Sequence, residues 1–283
     1  MAAVRESAVG RGRAPLAGME LDRMTEAEVV AAVLEALDQH RGGWVATPNV
    51  DICRAARHDP QLAAVMASAS LSVPDGMPLI WATRLRGDKL PERITGASLI
   101  FSLSEAAAAS GRSVYYLGGL PGVPEQAAAR LGARYPGLVV AGTDSPPFGF
   151  DTTAEGVAAV RAKLEAAAPD IVFVGLGFPK QEKLITALAP ALPRSWFVAC
   201  GAAIPFAAQA LPRAPVWMQH SGLEWAFRLL SEPRRLARRY LIDDLPFAAR
   251  LLASCALQRL RPHVGTGHEA KHRSLRHHWL RHH

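Results

Sequence analysis

Asp170-Ile171-Val172-Phe173-Val174-Gly175-Leu176-Gly177-Phe178-Pro179-Lys180-Gln181-Glu182-Lys183 reads as a strand, a tight turn and the start of a helix. Residues 171–174 are apolar without alternation and mostly β-branched, the pattern of a strand covered on both faces. Gly175 and Gly177 punctuate the turn, and Pro179 suits the first turn of a helix. Gln181 then stands close enough to that helix's N-terminus to face a bound anion. A buried strand that runs straight into a helix is the building unit of a parallel sheet.

The same alternation extends in both directions from this stretch. Residues 113–117 read as strand, 118–122 as a Gly-rich turn and 123–135 as helix. Strand follows at 138–141, helix at 154–167, helix again at 180–192 and strand at 196–200. Upstream, Thr25 is placed to cap a helix within 21–39, with Glu26 and Glu28 in its first turn. Residues 44–46 and 71–73 read as short strands. Residues 51–69 read as helix broken at Asp59-Pro60, and 77–86 as helix with Gly87 as its C-cap. The fold class is therefore α/β: a Rossmann-like parallel sheet with helices on both faces, plus a helical C-terminal appendage. The chain divides into a flexible tail over 1–20, an α/β domain over 21–212, an Arg-rich helical appendage over 213–260 and a disordered His/Arg-rich tail over 261–283.

Composition narrows the function classes. With 283 residues, 49% of them hydrophobic, the chain can bury a sizeable core. Cys53, Cys200 and Cys255 are scattered and odd in number, which suits reduced thiols rather than a disulfide framework or a zinc site. The first twenty residues lack a signal-peptide pattern. The longest uncharged stretch, 195–212, contains Gly201, Pro205, Gln209 and Pro212, so it reads as strand, turn and short helix rather than a membrane span. The net charge of +7 is concentrated late, with six arginines against two glutamates over 213–241. Nucleic acid, an anionic membrane and a phosphorylated substrate are the partners this allows.

Four polar motifs fall beside strand-like runs, where α/β folds place their ligands. They are Thr47-Pro48-Asn49-Val50-Asp51, Pro74-Asp75-Gly76, Glu92-Arg93-Ile94-Thr95-Gly96 and the Gly175 to Lys183 turn quoted above. Asp75 is suited to general-base work, against the alternative of an Asx-type turn that Pro-Asp-Gly favours unaided. Arg93 has the planar fork that grips a diphosphate, against a salt bridge to Asp88 or Glu92. Thr47 and Asn49 offer hydrogen bonds at a strand end, and capping of the next helix is an equal alternative. Gly118, Gly119 and Gly122 occupy the place of a phosphate-cradling turn, as do Gly175, Gly177 and Lys180. Neither turn has the dinucleotide or P-loop spacing, which counts against a nicotinamide-dependent dehydrogenase. No Asp-x-Asp triplet occurs, and no cofactor or metal is called for. Arg228, Arg234, Arg235, Arg238 and Arg239 lie beside Trp217, Trp225, Phe227 and Tyr240, chemistry that suits an anionic membrane surface rather than nucleic acid. A solvated helix face is the plainer reading.

Taken in order, these motifs resemble the WecG/TagA/CpsF glycosyltransferases, glycosyltransferase family twenty-six. Gly-Gly-x-Pro-Gly at 118–122 and the series Arg-Ala-Pro-x-Trp-Met-Gln, Gly-Leu-Glu-Trp, Arg-Leu and Glu-Pro-x-Arg-Leu from Arg213 onward complete the likeness. The resemblance implies metal-independent, inverting transfer from a UDP-sugar to a polyprenyl-diphosphate-linked sugar, with N-acetylmannosamine the best-known sugar moved. It implies Asp75 as base, Thr47, Asn49 and Gln181 as polar contacts, and Arg93 as a ligand of the acceptor diphosphate. It also implies that Arg228, Arg235 and Arg238 close over the site at the inner face of the cell membrane. Homo-oligomerisation is left open. One departure stands out: Gly201-Ala202-Ala203-Ile204-Pro205-Phe206 replaces the usual Gly-Gly-Ala-Phe-Asp-Phe, with Pro205 in the acidic position. A non-catalytic binding or scaffold member of a polysaccharide-assembly complex is the alternative this departure motivates.

Overall fold

The computed structural model describes residues 12–215, 217–218 and 223–260, apart from the side chains of Arg235 and Leu260. A hairpin, β1 (Arg13–Leu16) and β2 (Met19–Asp22), opens the chain. Then follow α1 (Glu26–Asp38), β3 (Gly43–Ala46), α2 (Val50–His58), α3 (Pro60–Ala67), β4 (Leu71–Ser72), α4 (Met77–Arg86) and α5 (Gly96–Ser110). The second half runs β5 (Ser113–Gly118), α6 (Val123–Arg134), β6 (Val139–Asp144), α7 (Ala154–Ala167), β7 (Ile171–Gly175), α8 (Lys180–Leu188), β8 (Trp196–Ala199) and α9 (Ala203–Ala207). The end is helical: α10 (Glu224–Ser231), α11 (Pro233–Ala237), a π-helical turn (Arg238–Asp244) and α12 (Leu245–Leu260).

Six strands form one parallel sheet in the order β4-β3-β8-β7-β5-β6. Alternate residues of each strand enter opposite cores, as the two-residue period requires. Trp44, Leu117, Val172, Val174 and Phe197 face one side with α2, α3, α8 and α12. Val45, Tyr116, Phe173, Trp196 and Val198 face the other with α1, α5, α6 and α9. The unbroken apolar strands are thus explained by burial on both faces.

Two expectations need correcting, and one helix was not expected. Residues 13–20 are not a flexible tail but most of the opening hairpin, turning at Ala17 (φ 53°) and Gly18 (φ 84°). Two successive positive φ values make the primed turn that matches strand twist. Ala14, Leu16, Met19 and Leu21 enter the core, and Asp22 fixes the hairpin by accepting from Arg13 Nε at 2.8 Å and the Ser72 N–H at 2.7 Å. The helix expected over 180–192 stops at Leu188, just before Pro190, and 96–110 is a full helix that the sequence reading left unassigned. In the appendage, the Leu245 N–H bonds Tyr240 O, one residue beyond the α step, just before Pro246, which has no N–H to give. Ala248, Leu251 and Cys255 then seat α12 on the core beside α4. No helix among the described residues is long and apolar enough to cross a membrane. The His/Arg-rich tail expected over 261–283 lies outside the described residues.

Candidate active site

β5 leads rightward through α6 to β6, whereas β7 leads leftward through α8 to β8. Where neighbouring strands send their connections apart, a crevice opens beyond their carboxyl ends. The turns that line it are Gly118-Gly119 and Gly175-Leu176-Gly177. They touch so closely that a Cβ on Gly118 (φ 116°) would stand 2.5 Å from Gly175 O, and one on Gly175 2.9 Å from Gly201 O. Only glycine fits that approach.

Gln181 holds these turns together from within. Its Oε1 accepts from the Gly177 N–H at 3.2 Å and the Gly201 N–H at 3.0 Å, and its Nε2 donates to Glu182 Oε1 at 2.8 Å. With 4% of its surface exposed, Gln181 is drawn inward rather than presented to an anion. Burial raises the Glu182 carboxyl above the usual carboxylate range, with the Gln181 amide opposing it. Lys180 pairs with Asp151 at 2.8 Å and lies over the Phe148 and Phe150 rings. Pro205 falls in the first turn of α9, where its missing N–H costs no helical bond.

A second group of loops gathers at the ends of β3 and β4. The Asp75 N–H donates to Pro48 O at 2.8 Å and the Ile94 N–H to Pro74 O at 2.9 Å, so three of the sequence motifs are stitched together by backbone. Thr47 donates to Ala199 O at 3.0 Å, and Asn49 caps α2 by accepting from the Ile52 N–H at 3.1 Å. The capping alternative for Asn49 is therefore realised, and Thr47 ties β3 to β8.

Asp75 behaves differently from a turn residue. The cap of α4 is Gly76, with no side-chain bond, and the Asp75 carboxylate is 29% exposed with Arg93 Nη1 at 3.9 Å. Arg93 does not pair with its sequence neighbours. Asp88 binds Arg23 and Arg86, and Glu92 accepts from the Glu26 N–H. Instead Arg93 Nη2 meets Glu224 Oε2 at 3.1 Å, while Glu224 Oε1 lies 3.8 Å from Arg213 Nε. Burial pushes the Asp75 carboxyl up to about 7; Arg93 opposes that, Glu224 adds to it, and Arg228 and Arg213 oppose it. A carboxyl poised there can take a proton near neutral pH.

The appendage arginines divide by position. Arg228 sits 5.8 Å over the Phe206 ring and acts on Asp75, and Arg239 reaches Asp51 at 3.6 Å. Arg234 and Arg238 are exposed, and Arg238 is not among the charges that act on Asp75. The side chain of Arg235 lies outside the described residues. Arg213 and Glu224 are the functional candidates that the sequence reading missed, although both stand inside motifs it quoted. No cluster of three potential metal-ligating side chains occurs among the described residues.

Residues 14–261 match the profile of the "Glycosyl transferase WecG/TagA/CpsF family". The chain is 32% identical over 202 residues to the "N-acetylglucosaminyldiphosphoundecaprenol N-acetyl-beta-D-mannosaminyltransferase" of Bacillus spizizenii, covering 71% of this chain and 76% of that one. It is 30% identical over 202 residues to the protein of the same description from Bacillus subtilis, covering 71% and 77%.

Proposed function

The chain belongs to the WecG/TagA/CpsF family of glycosyltransferases, and from that premise we propose that it moves a sugar from a UDP-sugar to a polyprenyl-diphosphate-linked sugar with inversion and without a metal. The observation that carries this reading is Asp75, a half-buried carboxyl raised toward neutrality on the turn after β4, with the Arg93 guanidinium 3.9 Å away. The acceptor hydroxyl attacks the anomeric carbon, its proton passes to Asp75, and the bond to UDP breaks on the opposite face. The UDP diphosphate sits against the Gly118-Gly119 and Gly175-Leu176 turns, beside the Gly177 N–H that Gln181 already holds. Arg93 and Arg213 hold the acceptor diphosphate. Fixed donors and cations of this kind stabilise a developing diphosphate charge without a divalent ion.

The names of the two Bacillus relatives support N-acetylmannosamine as the sugar moved and undecaprenyl-diphosphate-linked N-acetylglucosamine as the acceptor. The deciding experiment is a panel of UDP-sugars with a short-chain prenyl-diphosphate-N-acetylglucosamine acceptor, run in excess chelator. Disaccharide product is the expected result. Activity lost to chelator and restored by Mg²⁺ or Mn²⁺ overturns the metal-free mechanism. UDP binding without product from any donor favours the scaffold reading that Pro205 motivates.

We place the enzyme on the inner, anionic face of the cell membrane. Exposed Trp217, Leu230, Leu241, Ile242 and Leu245 share the appendage with exposed Arg234 and Arg238, the mixture that settles into a headgroup layer. Each arginine near the surface contributes about 1 kcal/mol of attraction. Binding to anionic vesicles should therefore fall steeply as salt rises. Equal binding to neutral and anionic vesicles would remove the electrostatic part of this placement.

A further inference from the structure

Asp75, Arg93, Glu224 and Arg213 form a file of alternating charge that ends on the carbonyl of Ala97, which accepts from Arg213 Nη1 at 3.2 Å. Glu224 stands 131 residues from Arg93 in the chain and gives one carboxylate oxygen to each arginine. An acidic residue in a helix's first turn is ordinary, since it complements the dipole. Glu224 is turned away from that role. It caps no backbone N–H of α10, and only 12% of its side chain is exposed. Two desolvated arginine contacts are more than a solvated first-turn acid makes.

The charges that act on Asp75 explain why an anion is needed there. Arg93, Arg213 and Arg228 all favour its ionised form, and among the described residues Glu224 is the anion that opposes them. Three unopposed cations would hold Asp75 as a low-affinity carboxylate, a weak proton acceptor at neutral pH. Loss of the anion would also release the contact that aims the planar fork of Arg93.

We propose that Glu224 is a positioning residue of the transfer reaction: shared between Arg93 and Arg213, it ties α10 to the loop that carries Arg93, aims the Arg93 guanidinium and offsets the cations gathered around Asp75. This rests on the reading of Asp75 as the base. It gives the appendage a part in the chemistry besides covering the site.

The test is the acid limb of kcat/KM against pH, with a soluble acceptor, in wild type and three variants whose melting temperatures are also measured. Glu224→Gln removes the anion and should move the limb to lower pH by roughly half a unit or more, the scale expected for one partly screened charge. Arg213→Gln removes a cation and should move the limb the other way. A purely structural tether predicts lower melting temperatures with the limb in place, and that result would overturn the proposal. So would an Arg213→Gln limb that fails to rise, which keeps the proposal open to refutation if Glu224→Gln does not fold. Asp75→Asn should abolish the limb together with most activity. If that variant keeps the limb, the base assignment fails rather than the role of Glu224.

Discussion

Asp75→Asn is expected to lose at least roughly a hundredfold in kcat, the usual scale for removing a general base. The isosteric amide preserves the turn, because the Asp75 backbone N–H to Pro48 O bond and the Gly76 cap of α4 do not involve the carboxylate. What it removes is a proton acceptor poised near pH 7. The same variant makes a stability prediction of opposite sign. A carboxyl whose folded pKa lies above its unfolded value binds its proton more tightly when folded. Wild-type stability should therefore rise as pH falls from about 7 toward 4. At pH 8 the ionised, desolvated Asp75 destabilises the fold, so the Asn variant should be more stable by about 1 kcal/mol, with the gap closing near pH 4. Gain of stability with loss of turnover marks a residue held against the fold's preference for the sake of function. Wild-type turnover in Asp75→Asn, where chemistry limits the rate, would falsify the base assignment.

The fold was legible because its signals are local. Residues 171–174 are apolar on both strand faces, and Gly87 ends α4 at φ 87°. What escaped notice depends on contacts across the chain. The β1–β2 hairpin has strands of four residues, a Pro15 and an Ala-Gly turn, so its alternation is too short to stand out. It is held by the Asp22 bond to Ser72, 50 residues away. Gly96 reads as part of a polar motif, yet its use is packing: a Cβ there would lie 2.6 Å from Cys200 Cα, at the start of α5. The site divides in the same way. Asp75 and Arg93 could be singled out as candidates, each beside a plainer alternative, an Asx-type turn and a local salt bridge, that the sequence could not exclude. Glu224 and Arg213 were not, because a glutamate and an arginine on a basic, amphipathic segment look like solvated surface until the chain folds back over β4. Gln181 was singled out for standing where it could face an anion at a helix N-terminus, but the partners of its Oε1 are two turn amides.

Those partners set the second large effect. Gln181→Leu should destabilise the protein by about 2 kcal/mol, because it strips the acceptor from two half-buried turn N–H groups at once, and fully buried unpaired donors cost roughly 1–3 kcal/mol each. Both donors, Gly177 (φ 78°) and Gly201 (φ 55°), lie in left-handed turns that the shared Oε1 holds at 3.2 Å and 3.0 Å. Released turns would no longer hold the shape of the crevice, so UDP should bind at least roughly tenfold more weakly in whatever fraction stays folded. Gln181→Glu separates the two consequences. It keeps an oxygen for both N–H groups but sets a second carboxyl against Glu182, whose own carboxyl burial already raises. Two adjoining buried carboxyls cannot both ionise, so the pair titrates above the ordinary range and this variant should be more stable at pH 5 than at pH 8. Urea unfolding at the two pH values, with UDP titration by calorimetry, measures every arm. A Leu variant that unfolds within about 1 kcal/mol of wild type and binds UDP normally would show that the turns hold themselves, and the crevice would owe its shape to the glycine contacts of β5 and β7 alone.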